Sequence, residues 1–323
     1  MFKIIKVSNI LQQYTFRLKY DYMKIIKNLF LSTLTIVFSA ILMTSCHPFE
    51  GNQEIPAYLH VDEFLLTTNY YAEGAASHKI TDVAVYVDDN YQGYYEMPAT
   101  IPILERGKHK LTLYPGIKLN GNSSTRTINP FYVPYTIEDY VFEEKFIDTV
   151  TPSTHYLPID DSDIHFEWME DFERQVNFET VAYSDTTITR TDRDAPDVWK
   201  DREGNSHYSG YVWIEDTLTF CITTPKLYNL PDQGNSIFLE LDYKCTEMFS
   251  VGLFAKIASE EKIELVHVNP SAEWNKIYIN LGPNITNTSS SSPEYFRVYI
   301  SGATEKNTEA KYFFDNIKIV YRD

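Results

Sequence analysis

Apolar and polar residues alternate in short runs along most of this chain. Glycine, proline, asparagine and aspartate punctuate the runs at intervals of about eight to twelve residues, the spacing of an all-β protein. Residues 81–87 predict a strand, 88–91 its turn and 92–97 the return. A further strand is expected over 107–114, with Leu111 and Leu113 on its buried side and Pro115-Gly116 as its end, while Pro98 and Pro102 mark an edge or loop. Later runs predict strands over 209–214, 218–223, 236–244, 249–255, 262–268, 274–281, 295–301 and 310–320. Asn284–Pro293, with its run of four serines, reads as a loop.

One stretch breaks the pattern. Residues 29–43 are apolar almost throughout, preceded by Lys24 and Lys27. A bilayer-spanning helix needs roughly 20 such residues, so this stretch has the length of a secretion-signal core instead. Met23 then opens a signal of ordinary length, and Met1–Tyr22 is an upstream extension. The run ends in Leu42-Met-Thr-Ser-Cys46, which resembles the lipobox of bacterial lipoproteins. That resemblance implies cleavage before Cys46, acylation of its thiol and a stable hold once two or three chains are attached. His47 follows in place of Asp, which by the same resemblance implies the outer membrane, facing the periplasm or the cell surface.

Composition agrees with that address. The net charge is −17, and residues 1–45 hold six of the 28 basic residues but one of the 45 acidic ones. The remainder carries 22 against 44, a net of −22. Such a surface repels phosphate backbones, which argues against nucleic acid, and it leaves a covalent lipid as the better membrane attachment. Tyrosine and phenylalanine, at 25 and 19 residues, add to the strand bias. Cys221 and Cys245 meet an oxidising compartment, yet alternation turns Cys221 outward with Leu218, Phe220 and Ile222 inward, and turns Cys245 inward with Leu241 and Tyr243. Opposite faces disfavour a bridge.

Two resemblances organise the chain. Val85–Gly93, Met97–Leu104 and Gly107–Gly116 are similar to the PEGA domain, a small β-sandwich of bacterial surface proteins, which implies a non-catalytic spacer. Glu170-Asp-Phe-Glu173, Glu273–Leu281 and Phe313-Phe-Asp-Asn-Ile-Lys-Ile-Val320 resemble β-jelly-roll carbohydrate-binding modules. The expected organisation is therefore all-β after a cleaved signal helix. It comprises an extension and signal over 1–45, a PEGA-like sandwich over 46–157, an acidic linker over 158–164 and a jelly roll over 165–323. The second resemblance also implies a structural calcium held by Glu173 and Asp315, although calcium takes six to eight oxygen ligands and two carboxylates need help.

Catalytic signals are weak. Glu240-Leu-Asp242-Tyr-Lys-Cys245 has the first two acids of the E-x-D-x-x-E array of concanavalin-like glycosidases and lacks the third. By parity both acids leave the core, as solvated strand charges do. No zinc spacing, serine elbow or phosphate loop is visible, so no enzyme and no required cofactor is expected. Binding has better support. Trp199 lies in the polar loop Asp194–Gly204 with Tyr208 and Tyr211 nearby, and aromatic rings stack on the C–H faces of sugars. Trp213 and Trp274 read as core or sheet-face residues, and Trp168 as packing between domains. Two functions lead: a surface lipoprotein that binds a polysaccharide or another extracellular ligand, and a structural subunit partnering an outer-membrane protein complex; a glycoside-active enzyme, built from sequentially distant acids, is the third.

Overall fold

The computed structural model describes residues 2–43, 55–159, 164–201, 206–231 and 234–322. Phe2–Met43 is one helix. Among the described residues no helix is long and apolar enough to cross a membrane. Cys46 and the two residues before it lie outside the described residues.

Ile55–Asp323 is one compact unit, and its described elements are overwhelmingly strands. Its first lobe places Asp82–Val87 between Asn90–Glu96 and Gly107–Lys118, and the last of these also pairs with Arg126–Ile128 and Tyr135–Phe142. A smaller sheet sets Ala57–Val61 between Ala99–Ile103 and Ile147–Val150. Alternation works as expected: Val83, Val85, Leu111 and Leu113 meet Leu59, Ile101 and Ile103 in one core. The strand does not end at Pro115. It runs to Lys118 with Ile117 fully buried, and the Pro115 carbonyl still accepts the Asn129 N–H at 2.9 Å.

The second lobe is a two-sheet sandwich. One sheet orders Thr189–Arg190, Gly210–Glu215, Glu309–Arg322, Ile237–Cys245 and Ser271–Asn280, and Ile164–Glu170 pairs with the far half of Glu309–Arg322. The other orders Glu179–Thr180, Thr219–Thr223, Phe296–Ala303, Phe249–Lys256 and Glu260–Val268. Their facing side chains, among them Leu239, Leu241, Val251, Leu253, Ile300 and Phe314, form a second core. Cys245 belongs to this core, whereas Cys221 sits on the outer face of its sheet under Tyr183, and both thiols are free.

Three sequence expectations fail for identifiable reasons. Gly282–Ser289 is helical within the expected loop: Pro283 suits its first turn, buried Ile285 anchors it, and Thr288 and Ser289 hydroxyls donate to the carbonyls four residues back at 2.8 Å. Trp168 does not pack between lobes. A bulge between Phe166 and Trp168 reverses parity, so Phe166 meets Tyr156 of the first lobe while Trp168 meets Phe178 beside the second core. Glu240 and Asp242 do face away from the core, but they are not solvated, at 0% and 2% exposed.

The reason is that the first lobe covers part of the outer face of the longer sheet. Phe238, Tyr278 and Val320 of that face belong to the first lobe's core, and Phe131 meets Phe238 edge-on at 5.0 Å. Fully burying an apolar side chain such as Phe238 or Val320 stabilises by about 1.5–3 kcal/mol. Beside this apolar patch lie four buried charges. Lys276 Nζ is 3.4 Å from Glu240 and 4.0 Å from Asp242; Tyr156 donates to Glu240 at 2.9 Å, Asn316 donates to Asp242 at 2.8 Å, and Lys318 donates to the Ala75 carbonyl at 2.8 Å.

Burial pushes the Lys318 ammonium down to about 8, attraction to Glu240 and Asp242 opposes it, and Lys276 adds to the depression. The unfolded chain keeps this proton up to the ordinary 10.5 and so binds more protons between the two values. The stability tied to neutral Lys318 is therefore fully present above 10.5 and lost as pH falls through about 8. Wild type should gain thermal midpoint relative to Lys318→Met as pH rises from about 8 to about 10, because other titrating groups are common to both proteins. Parallel profiles would contradict a desolvated ammonium at this position.

Candidate functional site

The part of the longer sheet's outer face that the first lobe leaves free carries a row of aromatic side chains. Val212 and Ile214 point into the core, so Tyr211 and Trp213 point out. On the neighbouring strand Tyr312 and Phe314 point in, so Lys311 and Phe313 point out. Register sets Tyr211 opposite Phe313, Trp213 opposite Lys311, and Lys244 opposite Phe313 from the other side. Tyr211 and Phe313 stack at 4.9 Å and 28°. Trp274 continues the row on the strand beyond Lys244. Neighbouring strands lie about 4.8 Å apart, so Tyr211 to Trp274 spans roughly 14 Å, the reach of a short oligosaccharide more than of one ring.

The Asp194–Gly204 loop, described as far as Asp201, walls this platform. Val198 is buried beneath it, the Asp197 carboxylate takes the Lys244 ammonium at 2.8 Å, and the Asp197 carbonyl accepts Trp274 Nε1–H at 3.1 Å. Trp199 is half-buried and its backbone N–H donates to Ser209 Oγ at 3.0 Å. Asp194 gathers Lys200 at 2.8 Å and His207 at 2.9 Å, and these contacts hold its carboxyl down to about 2. Around the rings Lys244, Lys311, Asp197 and Glu309 alternate in sign, which supplies hydroxyl-binding donors and acceptors without a net field. Burial holds the Tyr211 phenol above its usual range, and a phenol can both donate and accept. Trp213 is the most open ring, at 43% exposed.

The three aromatic residues singled out from the sequence do not converge. Tyr211 is central to the platform and Trp199 belongs to the wall. Tyr208, in the loop before the strand, packs against the second core, with the Arg190 guanidinium 3.6 Å from its ring centroid. For Trp213 and Trp274 the sequence leaves core and sheet face open, and Phe313 is marked in it only as part of the exit-strand motif. The signal that separates them is the parity of Tyr211-Val-Trp-Ile214 taken together with the strand pairing, and pairing is not written in any local run.

Glu173 and Asp315 do come together, on the short stretch 207–209. Glu173 Oε1 accepts the N–H groups of His207 at 2.7 Å and Tyr208 at 3.0 Å, while Asp315 accepts the Ser209 hydroxyl at 2.6 Å and the Asn316 N–H at 2.8 Å. Burial, with Asp242 and Asp171 nearby, holds the Asp315 carboxyl well above the usual range despite these hydrogen bonds. Among the described residues no group of three or more His, Cys, Asp or Glu side chains is placed for a metal ion. The pair alone falls short of calcium's ligand number, and the shown role of both carboxylates is to clamp the loop that precedes Tyr211.

No protein-family model matches this chain, and no curated protein matches it. Solved structures do. It is similar to the binding and catalytic modules of a Clostridium thermocellum endo-1,4-β-D-xylanase complexed with xylohexaose, at 15% identity and a TM-score of 0.36, covering 49% of this chain and 28% of that one. The chain thus spans little more than a quarter of that xylanase structure. It is also similar to carbohydrate-binding modules of the β-sandwich superfamily, at 12% identity and 0.36, covering 74% and 84%. A third is the family 11 carbohydrate-binding module from Clostridium thermocellum in complex with a β-1,3-1,4-mixed-linked tetrasaccharide, at 14% and 0.32, covering 46% and 92%. Likeness of this degree carries no argument about ligand.

Proposed function

We propose that this protein is a lipid-anchored surface protein that binds an extended glycan, without catalysis, on the aromatic platform of its second lobe. The observation that carries the reading is the exposed Trp213 beside the row Tyr211, Phe313 and Trp274, in which Tyr211 and Trp274 are half-buried and the buried Phe313 backs Tyr211, rimmed by balanced charges. Open stacking faces suit a neutral polysaccharide, because rings supply affinity and the rim groups orient hydroxyls. Calcium at Glu173 and Asp315 remains an expectation of the resemblance, and no step of the reading depends on it. The anchor is Cys46, and outer-membrane placement rests on the lipobox-like run that ends there.

Two experiments test the two halves. In a polysaccharide screen with the full chain, a hit should weaken by about 1–3 kcal/mol in Trp213→Ala and in Trp274→Ala, and less in Tyr208→Ala, which packs against the second core. A broad screen without hits would favour the structural-subunit function. For the anchor, Cys46→Ser should leave the membrane fraction or accumulate as a precursor. Processing and fractionation like wild type would remove the lipid.

A further inference from the structure

A cleft lies where the two lobes meet, apart from the aromatic platform. Between the helical turn Tyr70–Glu73 of the first lobe and residues 169–177 of the second is a cleft of about 280 Å³. Its walls are built and fixed. Glu170 is 3% exposed and its two carboxylate oxygens accept the N–H groups of Phe172 at 2.8 Å and Asn177 at 2.6 Å, which wraps the loop around the acid. Lys318, 1% exposed, lines the same cleft, and Gly74 with φ +74° is demanded there because a Cβ would sit 2.8 Å from Lys318 Cε. The Tyr70 hydroxyl donates to Asp171 at 2.8 Å and ties one wall to the other. At the mouth Tyr71 is 88% exposed, meeting Tyr70 edge-on at 6.1 Å.

The lining selects by elimination. A purely apolar ligand finds Met169 and the two tyrosines but must also desolvate charged groups. Three carboxylates, Glu170, Asp171 and Glu173, and two cations, Lys318 and Arg174, line it together, so a ligand of either charge meets repulsion beside attraction. A neutral hydroxylated ring meets neither objection: Tyr71 offers an aromatic face, and Glu173, Arg174, Gln175 and Asn177 offer donors and acceptors near the mouth. The volume lies just below the ~300–1,000 Å³ of pockets for drug-sized ligands, which leaves room for one ring and not a chain. We propose that this cleft binds a single neutral sugar residue, either a free monosaccharide or the end of a chain. The proposal rests on the reading of the protein as a glycan binder, but it concerns a different site.

Calorimetric titration of the full chain with glucose, galactose, mannose, xylose, arabinose and N-acetylglucosamine, with glucuronate as the acidic control, tests it. At least one neutral sugar should bind saturably and about tenfold more weakly in Tyr71→Ala and in Arg174→Ala, both surface changes that spare the cores, and equally well in Trp213→Ala. The corresponding disaccharide separates the sources. Tyr71-dependent binding of both sugars assigns the cleft to chain ends, and binding of the monosaccharide alone assigns it to free sugar. Absence of binding by every neutral monosaccharide, binding by glucuronate alone, or loss through Trp213→Ala with Tyr71→Ala intact would overturn the cleft. An oligosaccharide that binds through Trp213 while no monosaccharide binds sinks the cleft and leaves the platform standing.

Discussion

The outer face of one sheet decides the rest of this structure. A strand face that carries Glu240, Asp242, Lys276 and Lys318 would ordinarily lie in water, and here it lies under a second lobe. Burying such charges costs several kcal/mol per ion unless partners answer them. The answers are partial: Tyr156 and Asn316 donate to the acids, the Ala75 carbonyl receives Lys318, and Lys276 stands near both carboxylates without a short contact to either. The apolar seam of Phe131, Phe238, Tyr278 and Val320 adds favourable burial beside them. A layer of this kind is an inefficient glue but a selective one, because a shifted docking leaves charges unpaired.

The same covering divides the face. Its apolar and ionic half is occupied by the first lobe, and its aromatic half, from Tyr211 to Trp274, is walled by the 194–201 loop, with Trp213 exposed, Tyr211 and Trp274 half-buried and Phe313 buried. The covered patch and the aromatic row thus share strands, and Glu309–Arg322 runs through both, from Lys311 and Phe313 to Lys318 and Val320. Between them stands the clamp of Asp315 and Glu173 on residues 207–209, which fixes the start of the strand that bears Tyr211 and Trp213. Rigid placement of rings matters for sugar stacking, since a ring ordered in advance loses little entropy on binding.

Much of the fold was legible along the chain, because strands with one buried face write their period into sequence. Thr219–Thr223 was anticipated as 218–223, and Phe249–Lys256 as 249–255. What escaped has a common cause. Parity tells which residues share a face, but not what covers that face, so Glu240 and Asp242 read as solvated. A single bulge at residue 167 reversed Trp168, and no local residue type announces it. The helix Gly282–Ser289 escaped because its Ser, Thr and Asn content favours turns, and only Ile285, anchored in the core, tips the balance. Of the site, Tyr211 was visible as a ring near a polar loop. Phe313 and Trp274 joined it only through long-range strand pairing.

The buried outer face of the longer sheet, apolar seam and charges together, makes the two lobes one cooperative body. Scanning calorimetry of the full chain tests it most directly. The account predicts that both lobes melt in one transition whose calorimetric and van't Hoff enthalpies agree, because the first lobe's core is completed by Phe238, Tyr278 and Val320 of the second. Two resolved transitions, one for each lobe, would contradict it.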